Sequence, residues 1–204
     1  MNKYSQFGEE VIILDVFEKL GIEKGHLVDL GAGDGVNMSN SRALLDKGWT
    51  GDLYDGDPKG AKDVQKTWIT RSFLLGNITC DFLNIDLDGN DYWVLDGILN
   101  IHYPKLIVAE INPIFQRNEA KVMPYNETHT WNNDTYYGMS LAACEHLANK
   151  YGYTLMHLHV GVNAFLLRND HAAAHPELIR PIEYKVKRDH KPHPPEKEAL
   201  WITL

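Results

Sequence analysis

The feature that most constrains the fold is the stretch HLVDLGAGDG, residues 26–35, in which an apolar run ends in three alternating glycines. Residues 26–30 read as a short buried strand. Gly31, Gly33 and Gly35 then allow a sharp turn in which the backbone can approach a ligand closely. A helix that follows such a turn offers unpaired N–H groups at its start. The stretch therefore predicts a strand, turn and helix unit of an α/β fold, with a ligand site at the turn.

The glycine spacing indicates which ligand this turn binds. The G-x-G-x-G pattern differs from the G-x-G-x-x-G of dinucleotide enzymes, whose last glycine allows close helix packing around a pyrophosphate. It better suits S-adenosylmethionine, with the amino-acid end over the turn and the ribose bound by an acid that ends the second strand. Asp55 is that acid, and Asp57 is the alternative. The predicted cofactor residues of this unit are Asp29, Gly31, Gly33, Asp34, Gly35, Asp55 and Asp57.

Strand and helix patterns alternate along the rest of the chain. Helical periodicity occurs at 6–20, from Ser39 or Asn40 to Gly48, around 59–68, at 91–99 and at 139–151. Strand-like runs occur at 51–58, 80–86 and 104–112, and two close strands follow within 154–170. This order predicts a doubly wound sheet, mostly parallel, with a C-terminal antiparallel strand pair. Its functional crevice should lie at the carboxyl ends of the strands.

The length of 204 residues suits one α/β domain. We predict that this domain spans residues 1–170. Residues 171–204 are rich in His, Pro, Lys and Arg. We expect this C-terminal tail to be extended against the domain or mobile.

The charge and the hydropathy of the chain restrict the classes of partner that we expect it to bind. A net charge of −8 argues against nucleic acid or an anionic membrane as a partner. A small or neutral acceptor fits better. We find no signal peptide core and no run near the roughly 20 apolar residues that span a bilayer, so we expect a cytoplasmic protein.

The stretch FLNIDLDGNDYW, residues 82–93, places three acids directly after an apolar run. A calcium loop is excluded, because such a loop needs Gly at its sixth position and Glu at its twelfth. A haloacid-dehalogenase-like phosphatase, with Asp86 as nucleophile and Asp88 as acid, stays an alternative. Against it, Asn90 follows Gly89, where that chemistry needs Thr or Ser.

A methyltransferase gives the same acids another role. A hydroxyl acceptor needs a base or a metal to remove its proton. We predict that Asp86 and Asp88 are catalytic, with Asp86 the favoured base beside the methyl donor. Asp86, Glu110 and Asn112, with Asp88 as a further ligand, are the predicted oxygen-rich site for Mg²⁺. Asp91 is expected to start a helix.

Together the motifs resemble the FkbM-like S-adenosylmethionine-dependent methyltransferases, in order and over nearly all of residues 4–170. The matching motifs are YSQFGEE, VDLGAGDGVNMSNS, GWTGDLYDGDP, FLNIDLDGNDYW, LIVAEINP, MPYNETHTWNNDTYYGMSL and GVNAFLLRND. The resemblance implies a Rossmann-like methyltransferase fold and O-methylation, often of sugars or glycans. Gln6 precedes the first helix, where a lid over the cofactor would lie, and we predict that it contacts the cofactor; a surface cap of the helix is the alternative.

One departure from the family concerns the cofactor pocket. Between Pro58 and Phe82 only 23 residues intervene, where relatives have room for a helix, a third strand and a further helix. We therefore expect the usual third strand, and one wall of the adenine pocket, to be missing. TWITRSFLLGN, residues 67–77, is the only local substitute. The consequences to consider are weak cofactor binding, a wall supplied by a second subunit of a homo-oligomer, or a non-catalytic binding module.

The acceptor side is predicted from polar loops. Aromatic side chains stack on sugar rings, and loops position functional groups. His129, Trp131 and Tyr136 lie in a long polar loop, and Asn163 lies between the two late strands. We predict that these four residues contact a small-molecule or glycan acceptor.

Overall fold

The computed structural model of the protein describes residues 3–73 and 79–204. The helices in these residues are α1 (Glu9–Lys19), α2 (Arg42–Asp46), α3 (Asp91–Leu99), α4 (Leu141–Tyr151), α5 (Asn169–Ala174) and α6 (Pro195–Glu198), with a 3₁₀ turn at Pro176–Leu178. The strands are β1 (His26–Leu30), β2 (Thr50–Asp55), β3 (Val64–Lys66), β4 (Phe82–Ile85), β5 (Leu106–Glu110), β6 (Lys121–Val122), β7 (Tyr153–His159), β8 (Asn163–Arg168) and β9 (Ile202–Thr203). No helix in the described part of the chain has the length and apolar character to cross a membrane.

Seven of these strands form one sheet in the order β3-β2-β1-β4-β5-β8-β7. The pairs from β3 to β5 are parallel, whereas β8 runs antiparallel to both β5 and β7. The predicted Rossmann-like, mostly parallel sheet with a C-terminal antiparallel pair is confirmed. The strand order reverses between β1 and β4, so the crevice between their carboxyl ends is where such sheets bind ligands.

The sheet is covered on both faces, because successive side chains of a strand point to opposite sides. Val28 and Leu83 face a core shared with α3 and α4. Leu27 and Phe82 face a second core shared with α1 and α2. All four side chains are fully buried. This two-sided burial explains why β1, β4 and β5 read as continuous apolar runs in the sequence.

The expectation that the third strand is missing is wrong. Val64–Lys66 forms β3, which pairs in parallel with β2 at the edge of the sheet. The sequence did not reveal it because the strand has three residues and only Val64 is buried. Residues 59–68, expected to be helical, instead contain loops and this strand. Of the expected substitute, residues 67–73 are described, whereas residues 74–77 lie outside the described part.

The C-terminal tail packs against the domain, as one of the two expectations had it. Its strand β9 pairs antiparallel with β6, and Leu178 and Trp201 are buried. The Thr135 N–H also donates a hydrogen bond to the Lys191 carbonyl, at 3.0 Å. Helix α5 crosses the predicted boundary at residue 170. The tail therefore adds a surface to the domain on the side of the loop before α4.

The central strand should dominate stability. Leu83→Ala should lower the free energy of unfolding by about 2–5 kcal/mol, because it leaves a cavity between β4 and α3. Val11→Ala, on the solvent side of α1 where Val11 is 51% exposed, is the matched control and should change it by about 0.5 kcal/mol or less. Urea unfolding followed by circular dichroism measures both values. Equal losses in the two variants would contradict the described core.

Candidate active site

The carboxyl ends of β1 and β4 meet at Gly31. Its φ is +87°, and a Cβ atom on this residue would overlap the main-chain oxygen of Asp86. The Asp86 N–H in turn donates to the Leu30 carbonyl, at 2.9 Å. A side chain is excluded at Gly31 by both the backbone conformation and this contact. The contact places the acidic loop after β4 directly beside the glycine turn after β1.

Gly33 borders open space. Its φ is +58°, and no described atom lies within 4 Å of the position of a Cβ atom on it. Its N–H donates to Oδ2 of Asp55 at 2.8 Å, and the Asp57 N–H donates to Oδ1 at 2.7 Å. Two backbone amides therefore hold the Asp55 carboxylate at the end of β2. The turn therefore leaves space for a ligand beside a fixed carboxylate.

Trp68 lies next to these acids, at the end of β3. A Cβ atom on Gly56 would lie 2.7 Å from its ring, so the indole covers the backbone between Asp55 and Asp57. The indole N–H donates to the Glu127 carbonyl at 2.6 Å. The ring remains 50% exposed. It therefore presents an aromatic surface at the cofactor end of the crevice, which the sequence indicated only as part of a longer segment.

Asp29 supports the strand ends from inside the sheet. It is buried, and it pairs in register with Asn84 of β4. Asn84 Nδ2 donates to its Oδ1 at 2.8 Å, and Asn40 Nδ2 donates to the Asn84 amide oxygen at 2.9 Å. Burial raises the pKa of the Asp29 carboxyl group. Asp29 therefore contacts neighbouring side chains of the framework.

The other predicted cofactor residues lie around the turn. Asp34 accepts hydrogen bonds from the N–H groups of Val36 and Asn37, and these amides lower its pKa. Asp34 thereby closes the turn on itself. Gly35 packs close to β2 and β3, and Gln6 is exposed in the segment before α1.

Three carboxyl groups form an acidic cluster at the ends of β4 and β5. Asp86, Asp88 and Glu110 each offer one oxygen, and these oxygens all lie within 4.8 Å of one another. Asp86 is accessible to solvent, although surrounding protein atoms desolvate its carboxyl group. This combination is expected at the floor of a cleft. Three carboxylate oxygens at these separations suit a hard divalent cation such as Mg²⁺.

Asp86 and Glu110 each bring a carboxylate oxygen to this cluster. Desolvation raises the pKa of both carboxyl groups, and the neighbouring negative charges raise it further. Both groups therefore bind a proton more tightly than free side chains do.

Asp88 and Asp91 differ in role despite their proximity. Asp88 has a φ of +53°, and burial followed by the charges of Asp91 and Asp55 raises its pKa to about 6. Asp91 is fully buried at the start of α3, as predicted. Its carboxylate accepts hydrogen bonds from the N–H groups of Leu87 and Gly89, at 2.7 and 2.9 Å. Asp91 thus shapes the loop that presents Asp88.

Asn112 does not join the acidic cluster. Its side chain is fully buried, and its Nδ2 donates to the carbonyls of Thr135 and Tyr137, at 3.1 and 2.9 Å. Its Oδ1 accepts from the Ile114 N–H at 3.3 Å. The structure therefore places Asn112 as a support for the segment before α4. Asp88 is the third carboxylate of the candidate metal site, together with Asp86 and Glu110.

Two consecutive tyrosines of the segment before α4 differ in their surroundings. Tyr137 is buried, and burial, followed by the charges of Glu110 and Asp86, raises the pKa of its hydroxyl group. Tyr136 packs against Trp201 of the tail, with ring centroids 4.9 Å apart. The predicted acceptor residue Tyr136 therefore faces the tail.

Of the other predicted acceptor residues, His129 lies near the cluster. The His129 ring packs on Gly89, next to Asp88. The Trp131 ring lies 5.8 Å from that of Tyr137. Asn163 is the register partner of Glu110, but its Nδ2 donates to the buried Glu9 carboxylate at 2.8 Å. This bond ties the start of α1 to the start of β8.

Comparison with known proteins adds little at the sequence level. No protein-family model matches the chain. No curated protein matches it either. The resemblance to FkbM-like methyltransferases therefore stays a prediction from the motifs.

Solved structures with a similar fold are methyltransferases. A 1,6-didemethyltoxoflavin-N1-methyltransferase from Burkholderia thailandensis, with bound S-adenosylhomocysteine, has a TM-score of 0.48 and 12% identity, over 81% of this chain and 80% of that one. An S-adenosylmethionine-dependent methyltransferase from Clostridium acetobutylicum has a TM-score of 0.47 and 10% identity, over 80% and 92%. An O-methyltransferase family protein from Burkholderia thailandensis has a TM-score of 0.49 and 14% identity, over 78% and 55%. Because these scores lie below 0.5, the fold assignment rests on the strand order and directions.

The raised pKa of Asp88 predicts a pH-dependent loss of stability. An unfolded aspartate titrates near pH 4, and the folded state binds this proton more tightly. This contribution to stability is complete below about pH 4 and is lost as the pH rises through about 6. Asp88→Asn should flatten this fall and raise the free energy of unfolding at pH 7 by about 1–3 kcal/mol, because Asn carries no charge and tolerates positive φ.

Urea unfolding at several pH values, in the presence of a chelator, measures this effect. Asp57→Asn, at an exposed acid of the same crevice, is the matched control and should leave the pH profile unchanged. A wild-type profile that Asp88→Asn does not alter would contradict the desolvation of Asp88.

Proposed function

We propose that this protein is an S-adenosylmethionine-dependent O-methyltransferase that acts on a hydroxyl group of a carbohydrate or another small acceptor. The observation that carries the proposal is the open space at Gly33. It lies at the switch point of the sheet, near the fixed Asp55 carboxylate and the acidic cluster. A donor and a proton acceptor are thereby brought to the same crevice.

In this proposal the cofactor lies over Gly31 and Gly33, and its ribose binds Asp55 or Asp57. The indole of Trp68 supplies an aromatic wall for the adenine. It replaces the wall of the adenine pocket that we expected from the sequence to be missing. Gln6 covers the site from the segment before α1. When bound, the cofactor supplies an electrophilic methyl group.

The acidic cluster prepares the acceptor. Asp86 accepts the proton of the hydroxyl group, and its raised pKa makes it a stronger base than an isolated aspartate. Glu110 lies in the same cluster, and desolvation, followed by the charge of Asp86, raises the pKa of its carboxyl group. Asp88 lies within reach of both as a second catalytic carboxyl group.

The acceptor side of the proposed site is aromatic. Trp131 and Tyr137 lie edge to face, and His129 packs on the loop that carries Asp88. Aromatic rings can stack on a sugar or another ring. A cytoplasmic location, a possible homo-oligomer, and the absence of nucleic-acid and membrane partners stay predictions from composition.

The alternative of a non-catalytic binding module loses its motivation. It rested on a missing third strand and an incomplete adenine pocket. Strand β3 is present, and Trp68 follows it. The catalytic proposal is therefore preferred.

Cofactor binding is the decisive test. Isothermal titration with S-adenosylmethionine should show saturable binding to the wild type, and Gly33→Ala should weaken it by about tenfold or more, because the added methyl group would fill cofactor space. Both the wild type and the variant should remain folded, since an Ala in this conformation costs only about 1–2 kcal/mol.

Gly21→Ala is the matched control for that experiment. Gly21 has a φ of +68° and open surroundings, and it lies before β1, away from the carboxyl ends of the strands. It should show the same loss of stability with unchanged cofactor affinity. No binding by the folded wild type would overturn the proposed function.

We extend the proposal to Mg²⁺ at Asp86, Asp88 and Glu110. Magnesium chloride should raise the melting temperature of the wild type, because an ion that binds only the folded state stabilises it. Glu110→Gln should abolish this rise, whereas Glu18→Gln, at an exposed position of α1, should retain it. A wild-type melting temperature that does not respond to Mg²⁺ would restrict the cluster to proton transfer.

A further inference from the structure

A second cavity lies outside the acidic cluster, between the C-terminal tail and the segment after β5. Its volume is about 710 Å³, within the range of small-molecule sites. Phe115 and Trp201 form an apolar wall, with their rings edge to face and centroids 4.7 Å apart. The tail alone supplies Arg188, His190, His193, Glu198 and Trp201 to the lining. The cavity thus exists only because the tail packs on the domain.

The charged groups of this cavity differ in their availability. Glu119 accepts a hydrogen bond from the Gln116 N–H at 2.6 Å, and Glu198 is paired with His193 at 2.9 Å. Lys121 donates to the Thr203 hydroxyl group at 2.7 Å. Arg188 is exposed at the cavity and makes no hydrogen bond or ion pair with any described residue. Both acids are thus engaged, whereas the guanidinium keeps its donors for a ligand.

One wall of the cavity is held in a fixed arrangement. The Thr135 hydroxyl group lies 2.8 Å from His193 Nδ1 and accepts the His193 N–H at 3.0 Å. Glu198 is an acceptor for His193 Nε2, so in the neutral ring Nε2 carries the hydrogen and Nδ1 accepts the Thr135 hydroxyl proton. This chain of bonds anchors the tail. It keeps His193 and Glu198 from competing for a ligand.

His190 connects the cavity to the acceptor side of the crevice. It lines the cavity, and its ring lies 4.8 Å from that of Trp131 and 6.0 Å from that of Tyr137. A molecule held in the cavity therefore contacts His190, whose ring packs on the predicted acceptor residue Trp131.

We propose that the tail cavity binds a ring-containing small molecule through an anionic group, a carboxylate or a phosphate, held by Arg188. The ring rests against Phe115 and Trp201. This molecule is the methyl acceptor, an identification that rests on the proposed function. An arginine fits because its planar guanidinium binds both anions in bidentate geometry.

The test measures the binding of three probes to the full chain without cofactor. D-glucuronate and D-glucose 6-phosphate carry the two anions, and D-glucose is their uncharged match. Isothermal titration should show saturable binding of at least one anionic probe. D-glucose should bind at least about tenfold more weakly than that probe, or not at all. Which probe binds distinguishes a carboxylate from a phosphate source.

Arg188→Gln should weaken the binding of the anionic probe by about tenfold or more, because the substitution removes the positive charge and retains much of the side-chain length. Lys185→Gln, an exposed tail residue outside the cavity lining, should leave the affinity unchanged. The proposal is overturned if neither anion binds, if D-glucose binds equally well, or if Arg188→Gln binds like the wild type.

The outcome is separable from that of the proposed function. Saturable binding of an anionic probe by a protein that does not bind S-adenosylmethionine would support the cavity and refute the methyltransferase. Binding of S-adenosylmethionine without binding of either anion would support the methyltransferase and refute the cavity proposal. If both bind, transfer of a labelled methyl group to the anionic probe or to a glycoside of it should be detected, and its absence would refute the acceptor identification.

Discussion

The contact between Gly31 and the main chain of Asp86 is the constraint on which the candidate site depends. It requires a residue without a side chain at the end of β1, and it holds the carboxyl ends of β1 and β4 together. The hydrogen bond between the buried Asn84 and Asp29 side chains joins the same two strands further inside the sheet. Because the strand order reverses here, the loops on either side diverge and leave a crevice. The glycine turn and the acidic loop are therefore two walls of one site.

The acidic cluster is costly to the folded protein. Desolvation raises the pKa values of Asp86, Asp88 and Glu110, and neighbouring negative charges raise them further. Such groups persist where the surrounding fold holds them, and perturbed titration is frequent at functional sites. Asp91 helps to fix the acidic loop, because its carboxylate accepts hydrogen bonds from the N–H groups of Leu87 and Gly89. A proton or a cation in the cluster relieves the repulsion.

The tail changes how the acceptor side is understood. By composition it is polar and rich in proline, with little sign of a packed element. In the structure, β9 completes a two-stranded sheet with β6, and Trp201 joins Phe115 and Tyr136 in a small apolar cluster. One tryptophan and a few backbone hydrogen bonds suffice to place basic and aromatic side chains next to the crevice. The acceptor region thus combines loop residues near position 130 with tail residues near position 190.

The sequence by itself determined the sheet class, the bounds of β1 and α3, and the meeting of the glycine turn with Asp86. These follow from local patterns, namely two-sided burial, helix starts and glycine conformation, which neighbouring residues specify. Only the tertiary structure decided that β3 exists, that Tyr136 packs against the tail, that Asn112 supports a loop, and that the tail builds a cavity. Each of these depends on contacts between residues far apart in sequence. A three-residue edge strand and an alternating extended segment carry no local pattern that reveals which side is buried.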